Sequence, residues 1–177
     1  ELSSGLTIVN TSSVQNVGIW AFRGCNSLTS VHMPLVTSVG HAAFQHCSSL
    51  TNVGMPVLSS VGVDGCRECS GLVHVIMPLV TAVGHASFRS CSSLTGVNMS
   101  LVTDVGTNAF EGCSDLVTVN VPLLGSVSDN VFRGCSSLTS FNAFGQLLLP
   151  TSLTSIGDGA FYQCTALSGD LVIPSSV

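Results

Sequence analysis

The sequence predicts an α/β solenoid, a right-handed superhelix with a parallel β-sheet on its concave face and short helices or 3₁₀ turns on the other side. Three observations predict it. One motif is written seven times at a step of 22 residues, with a single longer step of 29 before the last copy. Cysteine marks the period at Cys25, Cys47, Cys69, Cys91, Cys113, Cys135 and Cys164, each followed three residues later by leucine. Phenylalanine stands three residues before each cysteine, at 22, 44, 88, 110, 132 and 161, with Cys66 as the substitute. A constant period of this size means coils that bury their apolar side only by stacking on neighbours. Residues 1–177 are therefore read as one elongated domain.

The elements of a coil follow in order, taking 28–50 as the unit. Leu28-Thr29-Ser30-Val31-His32-Met33 alternates apolar and polar, the mark of a half-buried strand. Leu28, Val31 and Met33 point inward; Ser30 and His32 point out. Pro34 lacks an N–H and ends the strand, and proline recurs at 56, 78, 122 and 174. Leu35 to Val39 makes a second extended arm, closed at Gly40, a register that is glycine in every coil but the one carrying Ser128. Ala43, Phe44 and Cys47 then fall at helical spacing, which predicts a short helix or 3₁₀ turn. Thr107, Asp129 and Asp158 stand where such a helix would take its N-cap. Successive strands should pair in parallel through right-handed crossovers.

These residues carry a resemblance. Leucine, apolar alternation, proline, then valine-glycine, alanine-phenylalanine and cysteine resembles the BspA-type leucine-rich repeat, most closely over Leu153 to Leu167. The resemblance implies a leucine-rich-repeat solenoid from a surface or secreted protein, used for adhesion to protein or glycan ligands. It implies no catalytic residues. Leu2 to Ile8 also resembles Leu167 to Ile173, so both ends stop at the same phase, as in a segment of a longer array.

Composition narrows the function classes. Hydrophobic residues make up 45% and mean hydropathy is +0.58, yet no run approaches the ~18 apolar residues of a membrane span. The hydrophobicity is core, and direct membrane insertion of this segment is not expected. Only 7% of residues are charged, lysine is absent and the net charge is −5. That leaves no basic footprint for nucleic acid. The exterior is built of Ser, Thr, Asn and Gly instead, which points to an extracellular or cell-surface location.

Eight cysteines would suggest disulfides in a secreted chain. Seven share one register, however, and rungs ~4.8 Å apart with parallel Cβ vectors do not suit a bridge. They are expected to be buried free thiols. Cys66-Arg67-Glu68-Cys69 has a CxxC form that the register already explains. No metal site, cofactor or enzyme activity is expected, because no ligand cluster, nucleophile–base pair or carboxylate dyad converges. His41, His85, His32 and His74 read as exposed polar residues.

Two surfaces remain as candidates for recognition. The strand face presents Ser30, Asn52, His74, Gly96, Thr118 and Ser140 in one file, and His32, Gly54, Ile76, Asn98, Asn120 and Asn142 in the next. The opposite edge presents Arg23, Arg67, Arg89, Glu111 and Arg133 directly after the phenylalanine register, with Gln45 and Gln163 assigned to the same stripe. Such neutral files suit a protein or glycan ligand; self-association into an extracellular filament or sheath is the alternative. Asn10-Thr11-Ser12 and Asn98-Met99-Ser100 are glycosylation sequons that count only in a eukaryotic secretory route.

Overall fold

A computed structural model describes residues 5–141, 148–168, 173 and 175–177. Asn142, Pro174, Leu2 to Ser4 and Gly169 to Val172 lie outside the described residues. The architecture is a parallel β-solenoid. Each of the first six coils contributes a three-residue strand and then a two-residue strand, and the last adds a two-residue strand among the described residues. The longer ones are β1 (Ile8–Asn10), β3 (Ser30–His32), β5 (Asn52–Gly54), β7 (His74–Ile76), β9 (Gly96–Asn98) and β11 (Thr118–Asn120). The shorter ones are β2 (Asn16–Val17), β4 (Ser38–Val39), β6 (Ser60–Val61), β8 (Ala82–Val83), β10 (Asp104–Val105), β12 (Ser126–Val127) and β13 (Ser155–Ile156).

All pairing is parallel and in the register set by the repeat. Val9, Val31 and Val53 stack in one sheet, Val75, Val97 and Val119 in another. The short strands β2, β4, β6, β8 and β10 form one continuous sheet. Hydroxyls reinforce the rungs: Thr29, Thr51, Thr95 and Thr139 each donate to the carbonyl 22 residues earlier. This is why so much of the polar exterior is serine and threonine.

The far side differs from expectation. The described residues contain no helix and no 3₁₀ turn. In the coil around Phe44, Ala43 N–H donates to Gly40 O, Gln45 to Ala42 O and Cys47 to Phe44 O, each an i→i−3 turn bond. The intervening donors reach across to the next coil: Ala42 to Val63 O, Phe44 to Gly65 O and His46 to Arg67 O. A helix would need every donor for itself; here half of them tie coils together. Two residues per coil take positive φ to allow it, Ala42 at 50° and His46 at 62° in this one. Both sit third in their turns, the position that takes positive φ in a type II turn. The expected N-caps therefore act between coils. Asp129 Oδ1 accepts from Asp158 N–H at 2.8 Å, and Thr107 Oγ1 lies 2.6 Å from His85 Nδ1.

Inside the coils the core is a set of stacked files. Phe22 lies 5.2 Å from Phe44 and nearly parallel to it. Phe88, Phe110, Phe132 and Phe161 continue at 5.4–5.8 Å with interplanar angles of 2–9°. The stack is interrupted where Cys66 replaces the ring. All eight cysteines are buried and none forms a disulfide. Six of them also do something a methyl group could not: each thiol donates to a carbonyl of the preceding coil. Cys47 reaches Phe22 O at 3.0 Å, Cys69 reaches Phe44 O at 3.1 Å and Cys113 reaches Phe88 O at 3.1 Å. Cys91, Cys135 and Cys164 repeat the bond at 3.0–3.2 Å.

Corner glycines allow this close stacking. A Cβ on Gly106 would lie 2.6 Å from His85 N and 2.7 Å from Gly84 C, inside backbone van der Waals contact. Gly65 is compensated differently: Ser87 of the next coil reaches back, donating within 2.8 Å of Gly62 O and 2.7 Å of Gly84 O.

The longer step also has a physical use. Phe141, Leu149 and Leu153 are buried, and Phe141 packs edge-on against Phe132 and Phe161 at 5.4 Å. Phe141 and Leu153 keep the registers of Val119 and Leu124, so Leu149 is the one that the longer step adds.

Candidate functional site

The strand face is built by alternation. In β7 the valine is buried while His74 and Ile76 are exposed, and β9 and β11 repeat the pattern. The structure brings Ser30 beside Asn52, and Gly96 beside Thr118, as registered neighbours. Asn98 and Asn120 meet directly, with Asn120 Nδ2 donating to Asn98 Oδ1 at 2.9 Å. His32 is exposed, and its Nδ1 stands 3.0 Å from where a Cβ on Gly54 would be, so the imidazole lies over that glycine.

One described residue of the face falls elsewhere. Ser140 is only 1% exposed and its hydroxyl has no partner, so it is removed from the surface. Phe141 and Leu149 nearby are buried as well. Asn142 lies outside the described residues.

The face is also divided. β5 and β7 do not pair. Thr51, Thr95 and Val117 donate their N–H to the preceding coil, and Met33, Met77 and Met99 to the following one; Val73 and Met55 do not. A cleft of about 250 Å³ opens there between Thr51–Val53 and Val73–Ile76. Beside it, a second cleft of about 300 Å³ is centred on Gly96 and lined by His74, Ile76, Asn98, Thr118 and Asn120. His74 and Ile76 form the wall between the two. His74 is steadied by Thr95, whose Oγ1 lies 3.1 Å from its Nδ1.

The charged edge is largely self-satisfied. Arg89 Nε sits 3.1 Å from Glu111 Oε2. Arg67 lies 3.6 Å from Asp64 and 3.2 Å from Glu68, at ion-pair distance without hydrogen-bond alignment at Nε. Arg133 lies 5.0 Å over the ring of Tyr162, which occupies the stripe position that the sequence reading gave to Gln163. Gln163 instead takes positive φ, one place before Cys164. Gln45 is buried and so is not part of the edge. Arg23 is exposed beside a groove of about 870 Å³ that also includes His46, Ser48, Glu68 and Ser70. His46 Nδ1 and Glu68 Oε2 pair at 2.8 Å across this groove. Sequence reasoning missed the pair, although both residues directly precede a cysteine in adjacent coils.

The thiols form the other titratable group. Burial holds Cys91, Cys113 and Cys135 well above the ordinary thiol range and raises Cys164 to about 11. Such thiols stay protonated and serve as hydrogen-bond donors, not nucleophiles.

Comparison with known proteins agrees with this architecture. No curated protein matches the chain. Among solved structures, it is similar to the leucine-rich repeat protein of T. pallidum, with a TM-score of 0.84 and 29% identity over 92% of this chain and 78% of that one. It also shares the fold of a leucine-rich cell surface protein from Faecalibacterium prausnitzii, with a TM-score of 0.55 and 24% identity over 92% of this chain and 59% of that one. The model of the BspA-type leucine-rich repeat region matches residues 3–116 and 126–177 in 6 copies. With that match covering the whole phenylalanine register and every cysteine of the ladder, the chain belongs to the BspA-type leucine-rich repeat family.

Proposed function

We propose that this chain is an extracellular or cell-surface recognition module that holds a protein or glycan partner against its strand face. One observation carries the reading. Residues 28–37, 50–59, 72–81, 94–103 and 116–125 contain no Asp, Glu, Lys or Arg. These stretches make the strand face and the turn that follows it, so the charged side chains are confined to the rest of the coil. A surface kept free of charge over five coils offers hydrogen bonds and apolar contact at low desolvation cost. An extended, repeated surface of this kind suits a broad contact. The edge is the weaker candidate, because most of its charges already pair with each other, each exposed pair giving under ~1 kcal/mol.

The test places arginine in the files. Asn98→Arg and Asn120→Arg should each weaken binding to an immobilised extracellular-matrix extract by about tenfold, roughly 1.4 kcal/mol, with circular dichroism unchanged. Gln163→Arg on the exposed turn side should leave binding as it is. Loss of binding in the turn variant alone would assign recognition to the other side.

One feature favours a second reading, lateral self-association. Leu35, Val57, Leu79, Leu101 and Leu123, all in the position after the proline register, are each 36–47% exposed. They form an apolar ridge beside the strand face. Sedimentation measured over a hundredfold concentration range distinguishes the readings: a mass that stays monomeric throughout removes this one.

A further inference from the structure

From the Gly96 cleft we infer a binding subsite for one ring of a neutral saccharide, an inference that rests on the strand face being the recognition surface. The cleft exists because glycine interrupts a file of side chains. A Cβ on Gly96 would sit 3.3 Å from Thr118 Oγ1 and 3.6 Å from His74 Nδ1, so those two residues flank a gap with backbone as its floor. Its volume of about 300 Å³ lies at the small end of the ~300–1,000 Å³ typical of ligand clefts. That is room for one small ring.

The chemistry of the walls selects the ligand. The flanking strand segments contain no formally charged residue, so an anionic or cationic ligand would lose hydration without gaining a counter-charge. The polar groups are of the kind that both donate and accept. Asn120 donates to Asn98 at 2.9 Å, which fixes both amide planes and leaves the Asn98 amide N–H groups and the Asn120 carbonyl oxygen for a ligand. The Thr118 hydroxyl can do either. With Nδ1 held by Thr95 Oγ1, His74 has Nε2 left to offer. Adjacent donors and acceptors at fixed spacing match adjacent hydroxyls on a pyranose, each of which also donates and accepts. Ile76, 68% exposed at the rim, supplies an apolar surface for the C–H face of the ring.

The break between β5 and β7 extends the same surface. The N–H groups of Val73 and Met55 lack the inter-coil bonds their equivalents make. A saccharide running from the Gly96 cleft past His74 meets these backbone groups next, so the site continues for a second ring.

The test is an amide chemical-shift titration of the whole chain with maltotriose, cellotriose, mannotriose and N-acetylchitotriose, and with a hyaluronan tetrasaccharide as the charged comparator. At least one neutral probe is expected to move the amides of 74–76, 96–98 and 118–120, and the hyaluronan probe none of them. Gly96→Thr copies the residue already present at 118, so the strand should remain intact while the gap fills and the shifts disappear. Asn98→Ala, which leaves the backbone alone, should weaken binding at least about tenfold, the ~1.4 kcal/mol of one good hydrogen bond. Shifts that persist in Gly96→Thr, or that only the charged probe causes, overturn the subsite. If no saccharide moves these amides while Asn98→Arg still loses the matrix extract, the subsite is wrong and a protein partner occupies the face. If neither experiment shows binding, the strand-face reading fails with it.

Discussion

Above pH ~8.5 the protein is expected to lose stability steeply as the pH rises. The cause is the buried thiols. Cys91, Cys113 and Cys135 are pushed well above the ordinary range by burial, and Cys164 to about 11. In the unfolded chain the same thiols ionise near pH ~8.5. Between those limits the folded state holds protons that the unfolded state has released, so rising pH favours unfolding. Each such group contributes about 1.4 kcal/mol per pH unit. The stabilisation is present in full below the unfolded value and is lost upward; Cys164 adds nothing further beyond its folded value of about 11. With no lysine in the chain, few other groups titrate in this window. Urea unfolding under reductant at intervals from pH 7 to 10.5 measures the slope, and Cys113→Ala should lower it by about 1.4 kcal/mol per pH unit. A flat profile would mean that the thiols are open to solvent or already oxidised.

Phe110→Ala should cost about 3–5 kcal/mol, the usual penalty when a fully buried ring leaves a persistent cavity. Phe110 is wholly buried and stacked on both faces, 5.4 Å from Phe88 and 5.8 Å from Phe132. Neither neighbour can collapse into the gap without leaving its own coil, because Phe88 N–H and Phe132 N–H are each bonded to the following coil, to Ala109 O and Ala160 O. Phe22 is partly buried and stacks on one side only, so Phe22→Ala should cost less than half as much. Chemical denaturation of the two variants gives the comparison. Equal losses would show that the stack is not the source of the stabilisation.

The strand side of each coil was legible because its evidence is a period of two. Leu28, Val31 and Met33 are buried and His32 is exposed, as the alternation requires. The turn side was misread because Ala43, Phe44 and Cys47 lie at helical spacing. Side-chain spacing does not report backbone handedness, and the chain is turned there by left-handed residues. A subtler signal was present. The two positive-φ registers include Gly24, Gly112, Gly134 and Gly159 together with Asn108, Asn130 and Asp64, residue types that tolerate this conformation. Ser140 was misplaced because the register puts it in line with Thr118, whereas it is buried beside Phe141. The Gly96 cleft was present in the sequence only as a glycine within a file of side chains. Its depth depends on the neighbours at 74 and 118, and the break between β5 and β7 left no sequence mark at all. That break also sets where the third coil is least tied to its neighbours. Cys66 N–H bonds Ser87 O at 2.8 Å and the turn side is closed, so the unprotected amides are those of Met55 and Val73.

The central claim is that recognition takes place on a surface without charge. Its most direct measurement is the salt dependence of binding to the matrix extract between 50 and 500 mM sodium chloride. Over that range screening shortens from more than ~10 Å to about 4 Å, which suppresses contacts between exposed charges. Binding through the strand files should change by less than about twofold. A fall of about tenfold or more that Arg23→Gln removes would place recognition on the charged edge and contradict the account.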